Sequence, residues 1–376
     1  MKKLKYLLCL ILCSCINEYT PKSIDQMTDI LVVEGIITDN ETYITLSRSE
    51  YIINTDTDKP MHPKYVNNAL VFVQCDDGTQ MEAEFQYSGR YFIKTCKLKF
   101  DRKYRLKIEI EEEDCDGDNL PCPLKTYEYR SEFSYPIATS EIDSVFWMKR
   151  NIGEPVTIHV STQSSIDNSG NVVLYYHWSF LENWEVTPLL PNTKYPNICW
   201  NEYKNDEILV GSATKTTSGN LIDNIREIEP SSNRLSELYR IIVKQNAITK
   251  QAYEYFSNIK KISKQTGTIF SPIPIGLTGN IVCLTDPNKQ VIGFMDVSTT
   301  TTKQLYISRD DNLYEPIFRE DCQPFTMGEL QLKYPGDMIP PIPYGYEVYT
   351  ILPELYARTV CLECYGTQQK PDDWPH

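Results

Sequence analysis

Near the C-terminus, Cys361 and Cys364 stand two residues apart in "CLECYG". Thiols at that spacing can do three things: supply half of a zinc site, form a redox pair, or make two disulfides to distant partners. A structural zinc ion wants four ligands, commonly two close pairs. This tail offers no second short pair and only His376 nearby. A thioredoxin-type pair belongs in a βαβ setting, which the Pro-rich tail does not provide. Disulfides to upstream cysteines are therefore expected. Cys322 and Cys199 lead as partners, because the tail must be tied down somewhere; the connectivity itself is not readable from spacing.

The densest acidic stretch, "EEEDCDGDNLPC", places Asp114, Asp116 and Asp118 at the alternating spacing of a calcium loop. The register is poor, making this a weak metal candidate. Gly117 is misplaced for an EF-hand, and the twelfth position from Asp114 is Lys125 rather than Glu. A solvated acidic loop closed by Cys115–Cys122 fits better. His62, His159 and His177 lack a paired metal-binding spacing, and His177 in "YYHWSF" reads as a packed or hydrogen-bonded ring. Glu182 and Glu185 flank Trp184 and could mimic the carboxylate pair of a glycosidase, a chemistry defined by separation in space. No G-x-S-x-G, Walker loop or dinucleotide fingerprint is present. With no nucleophile–base constellation to name, no enzyme activity, resident metal or cofactor is expected.

The N-terminus speaks to compartment. Lys2, Lys3 and Lys5 precede a short apolar run, Tyr6 to Leu12. That run is far below the roughly 20 residues a spanning helix needs, so residues 1–14 read as an export signal. Leu12-Cys13-Ser14-Cys15 resembles a bacterial lipobox, with small Ser14 before the cut and Cys15 as the lipidated residue. Cys13 and Cys9 follow bulky leucines and fit worse. Residues 15–29 would link a multiply acylated anchor, which holds far more firmly than one chain, to a globular body.

The formal charge is −14, and removal of the signal takes away three lysines and no acid. A body this acidic argues against nucleic acid and against electrostatic docking on anionic lipid. Of twelve cysteines, nine remain beyond Cys15: Cys75, Cys96, Cys115, Cys122, Cys199, Cys283, Cys322, Cys361 and Cys364. Disulfides persist outside the inner membrane, and an odd number leaves at least one free thiol.

The elements that must position these residues are mainly β. "TYITLSRS" and "KYRLKIEI" alternate apolar and polar positions, and "ALVFVQC-DDG-TQMEAEF" reads as a hairpin. Residues 30–135 form an expected N-terminal β-sandwich, Ig-like or transthyretin-like. Residues 136–308 form a second β-sandwich-like domain with one helix near 248–265. There Ala252, Tyr255, Phe256, Ile259 and Ile262 recur at helical spacing and Gly267 suits a stop. Residues 309–376 hold 9 of the 23 prolines. That density predicts an extended strap without regular sheet, packed on the second domain. Tyr334, Tyr344, Tyr346 and Tyr349 would cover the lower sheet or present a binding face.

Several stretches recur together: the lipobox, "LVVEGIITD", "ITLSRS", "EIDSV", "YYHWSFLENWEV", Cys199-Trp200, "YRIIVKQNAITKQAYEYFSNIKKISKQTGTIFSPIP", "GNI", "VIGFMDVS" and "CLEC…KPDDW". As an ordered set they resemble the Bacteroidetes lipoproteins grouped as domain of unknown function 4249. The resemblance implies an outer-membrane lipoprotein, often encoded beside TonB-dependent transporters, with no catalytic residue to carry over. Cys75, Cys96, Cys115, Cys122 and Cys283 look like additions to the pattern. The expected function is a non-enzymatic binding or accessory subunit of a TonB-dependent nutrient-uptake system, with the membrane face and ligand open. A structural or adhesion lipoprotein and a secreted hydrolase are the alternatives.

Overall fold

The computed structural model describes residues 29–49, 64–113, 122–166, 170, 172–215, 220–266, 279–316, 321–333, 345–364 and 369–375. Cys15, His62, Asp114, Cys115, Asp116, Asp118, Gly267, Tyr334, Tyr344 and His376 lie outside the described residues.

Alternation becomes burial in the first sandwich. In Thr42–Arg48 every second residue is buried, and Tyr104, Leu106, Ile108 and Ile110 turn inward from Tyr104–Glu113. One sheet runs Val291–Ile292, Leu31–Gly35, Thr42–Arg48, Arg90–Ile93, Glu84–Tyr87, with Lys64–Tyr65 added on Thr42–Arg48. The other runs Ile281–Cys283, Leu124–Ser131, Tyr104–Glu113, Ala69–Cys75, Gln80–Glu82. Leu31, Ile44 and Leu46 of one meet Val71, Val73, Leu106 and Ile108 of the other in one core. Each such side chain contributes about 1.5–3 kcal/mol on burial.

The expected domain boundaries need one correction. The expected second domain takes in residues 281–298, but these return to the first. Ile281–Cys283 pairs antiparallel with Leu124–Ser131. Val291–Ile292 pairs in parallel with Leu31–Val32, and Val297–Ser298 with Ile37–Thr38. Ile281, Cys283, Met295 and Val297 fill the first core. Strands of two or three residues are too short to show a period, and their partners lie some 150–260 positions away.

The second sandwich packs Ile142–Met148, Val156–Gln163 and Asn220–Ile228 against a larger sheet. In the larger sheet the long strand Tyr175–Val186 is flanked on one side by Cys199–Lys204 and Leu209–Ser212. On the other side lies Tyr239–Ala247, and beyond it Thr300–Ile307. Val156, Ile158 and Val160 meet Tyr176, Trp178, Phe180, Ile241 and Val243. The buried polar groups around Trp178 are paired. The Trp178 indole donates to Gln245 at 2.8 Å, and Gln245 donates to Ser140 O at 2.9 Å and to Thr162 Oγ1 at 3.1 Å.

The expected helix spans Lys250–Thr266, with Ala252 and Tyr255 buried. Thr249 caps it, its hydroxyl accepting the Ala252 N–H at 3.2 Å. Asp296, on the segment that returns to the first sandwich, accepts the Thr249 N–H at 2.8 Å. Its own carbonyl accepts the Ile37 N–H at 2.9 Å. One buried residue thus joins the helix start to the first sandwich.

The strap carries more regular structure than its proline content predicts. A helix spans Met327–Lys333, Tyr346–Val348 pairs antiparallel with Tyr356–Arg358, and a helical turn follows at Thr359–Leu362. Four of its prolines cluster within 335–343 and another, Pro353, sits between the paired strands. The paired segments themselves are proline-free.

Candidate functional site

Chemistry-bearing residues concentrate on the long strand Tyr175–Val186. Successive side chains of a strand point to opposite faces, so Glu182 turns inward with Phe180 and Trp184, and Glu185 outward with Asn183. Glu182 is wholly buried. It accepts two bonds from Arg226 (2.8 and 3.1 Å), one from Arg234 (3.1 Å) and one from the Tyr239 hydroxyl (2.7 Å). The two guanidiniums lie over Tyr203, at 5.0 and 5.7 Å, and Arg234 also over Trp184 at 4.3 Å. Burial, then the Glu182 charge, pushes the Tyr239 phenol well above its ordinary range. A buried carboxylate is tolerated when paired and fully hydrogen-bonded, and this one is. Glu185 instead accepts the Trp374 indole N–H at 2.7 Å on the opposite face. The two carboxylates therefore cannot flank one glycosidic bond, and the glycosidase-like pairing is set aside.

The outward face of this sheet is covered at both ends. At one end the helix lies across it. His177 packs against Phe256 at 5.6 Å and Tyr175 against Tyr253 at 5.0 Å. Burial pushes His177 down to about 4, so it is a neutral packed ring at pH 7. His159 stacks on Phe146 at 5.4 Å in the other sheet and is also held down, chiefly by burial.

At the opposite end the C-terminal residues dock. Asp373 pairs with Arg240 at 2.8 Å, and Arg240 lies over the Trp374 ring at 5.1 Å and donates to Asn183 at 2.8 Å. Cys199–Cys364 and Cys322–Cys361 are bridged, with Cα separations of 5.8 and 5.5 Å. The first bridge fastens the tail to the sheet beside Val186, and the second closes the strap on itself. Cys122 is also disulfide-bonded, while Cys75, Cys96 and Cys283 are free thiols. Trp374 has no role that its sequence context assigns; its only signal is a place in the "KPDDW" stretch.

Between the helix and the neighbouring strands Leu209–Ser212 and Asn220–Ile228 run two adjoining open clefts of about 470 and 400 Å³. Val210, Tyr253 and Glu254 line both; Lys260 lies in one, Tyr175 and Asp223 in the other. The floor depends on Gly211, where a Cβ would fall 2.4 Å from the Trp178 ring and 2.8 Å from Asp223 Oδ2. Burial pushes the Asp223 carboxyl up, against the pull of Lys260. The groove thus offers two tyrosine faces, two carboxylates and the ammonium groups of Lys260 and Lys261, a set suited to holding a polar ligand. Sequence reasoning missed it, because its walls come from four separate stretches. Among the described residues no group of three or more His, Cys, Asp or Glu side chains is placed to hold a metal ion.

Residues 16–304 match the family described as Domain of unknown function (DUF4249), and the chain belongs to it. The match takes in the first sandwich and ends inside the last strand of the second. No curated protein matches the chain.

Proposed function

We propose that this member of the family is a lipid-anchored, non-enzymatic binding or accessory subunit of an outer-membrane, TonB-dependent uptake system. In this reading the groove beside the helix holds a polar ligand. Membrane attachment rests on the lipobox and Cys15; among the described residues no helix is long and apolar enough to cross a membrane. The observation that carries the reading is a contrast. The deepest carboxylate, Glu182, is saturated by two arginines and a tyrosine, whereas the open concavity presents Tyr175, Tyr253, Asp223 and Lys260 with room for a small solute.

The test is affinity purification of the tagged full-length protein from native membranes, with mass spectrometry of co-eluting proteins and of retained small molecules. A large β-barrel transporter in the eluate, and a solute lost on Tyr253→Ala, support the proposal. A solute retained equally by that variant removes the groove from it, and an eluate without a barrel removes the accessory role.

A further inference from the structure

The free face of an antiparallel sheet usually meets water. On the outer face of the larger sheet, one patch does not. Asn183, Arg240 and Tyr306 stand side by side on three adjacent strands. Glu185 and its register partner Trp200 take the next outward position. Asn183 is only 1% exposed and Arg240 only 2%, where Asp373 and Trp374 of the C-terminal tail lie over them.

Side chains alone attach this cover. Trp374 is buried, whereas Gln369, Lys370, Asp372, Asp373 and Pro375 are exposed. The Trp374 N–H bonds within the tail, to Pro371 O at 3.0 Å. Among the described residues no backbone hydrogen bond joins residues 369–375 to the sheet. Two side chains make the attachment. The Asp373 carboxylate meets Arg240 at 2.8 Å, and that bond holds its carboxyl below the usual range. The Trp374 indole donates to Glu185 at 2.7 Å. Arg240 lies over the Trp374 ring at 5.1 Å, and Tyr306 meets that ring edge-on at 6.5 Å. The sheet thus reads a carboxylate and an indole on adjacent residues. Nothing in these contacts requires that the pair belong to the same chain.

The seat is also incompletely satisfied. Arg240 Nε and Trp200 Nε1 are buried without a hydrogen-bond partner among the described residues. A buried donor left unpaired is costly. Both call for an acceptor oxygen that the tail does not supply.

We propose that this seat is a peptide-recognition site for a partner protein that presents an acidic residue followed by tryptophan, and that the chain's own Asp373 and Trp374 cover it as a tethered stand-in. The partner's segment engages Arg240 and Glu185 as the tail does. Its backbone carbonyls supply acceptors for Arg240 Nε and Trp200 Nε1. Tethering gives the tail a high effective concentration that a separate ligand must overcome, so the site stays closed until a tighter-binding segment arrives. The seat lies at the opposite end of the outer face from the helix and does not depend on what the groove holds.

The experiment uses the mature chain with Cys15→Ser and its disulfides intact, with the wild-type tail and as Trp374→Ala, which empties the seat. A fluorescently labelled synthetic peptide of residues 370–376, KPDDWPH, is titrated by anisotropy. Saturable binding to Trp374→Ala is expected, about tenfold or more tighter than to the chain whose own tail competes. Adding Glu185→Gln to Trp374→Ala should weaken binding about tenfold. Because that change touches the sheet, the peptide is varied as well. Asp373→Asn and Trp374→Phe in the peptide should each weaken binding to the same unaltered protein. The competing occupant is a second copy of this chain. Sedimentation of an equimolar mixture of wild type and Trp374→Ala should show no complex of the two, since the wild-type tail keeps its own seat. A heterodimer would assign the site to tail exchange between copies and overturn the proposal. Absence of saturable binding by Trp374→Ala, equal binding by the chain with its own tail, or indifference to both peptide changes would overturn it too.

Discussion

Glu182 and Glu185, three residues apart on one strand, face opposite sides of the same sheet and bond to different parts of the molecule. Glu182 binds Arg226, Arg234 and Tyr239 inside the sandwich. Glu185 holds the indole of Trp374, which belongs to the C-terminal tail. One strand therefore secures both the core of the second sandwich and the strap that closes over its back.

Breaking the inner network should be costly. Glu182→Gln leaves two guanidiniums without their carboxylate in a buried setting. Removal of one partner from a buried ion pair typically destabilises by about 3–5 kcal/mol. Urea denaturation followed by tryptophan fluorescence should show a midpoint shift of that size, and an unchanged midpoint would show that the network does not support the fold.

The tail should be held by its bridges and by Trp374 together. Non-reducing peptide mapping is expected to recover Cys199–Cys364 and Cys322–Cys361 peptides. Each bridge typically contributes about 2–4 kcal/mol. Trp374→Ala with the disulfides intact should increase protease cleavage in residues 365–376 while leaving the sandwiches resistant. Free alkylation of Cys361 and Cys364 without reductant would contradict the pairing.

Asp296 makes a pH-dependent contribution. Burial pushes its carboxyl up from 3.8 to about 6, against the hydrogen bonds from Thr249. A carboxyl raised in the folded state binds more protons there than in the unfolded chain between those values. Its contribution to stability is thus fully present below pH 3.8 and lost as pH rises through 6. A shift of about two units corresponds to roughly 3 kcal/mol. Relative to Asp296→Asn, wild type should lose stability between about pH 4 and 6, measured as denaturation midpoints across that range. Parallel curves for the two proteins would show that Asp296 does not titrate there.

Cys15→Ser should abolish acyl labelling and release the protein from membranes, because the small residue of the lipobox precedes Cys15 and neither Cys9 nor Cys13. Continued labelling of this variant would exclude the assignment.

Features written in local periodicity are legible in the sequence itself. The strand Tyr104–Glu113 shows its buried face directly in the spacing of Tyr104, Leu106, Ile108 and Ile110. The helix Lys250–Thr266 lies within two residues of its expected start and one of its expected end, because Ala252 and Tyr255 recur at the spacing of one buried face. The disulfide fate of Cys361 and Cys364 follows by elimination of zinc and redox chemistry, although which upstream cysteine joins which does not.

What the sequence hides depends on which segments meet in space. Val291–Ile292 becomes a strand only because Leu31–Val32 accepts it. The groove exists because strands at 175, 210 and 223 pass beneath one helix. Hydrophobic alternation is set by the geometry of a single strand, so the chain carries it openly. Pairing partners and clefts depend on distances between residues far apart in the chain, and those distances take values only once the sheets have packed.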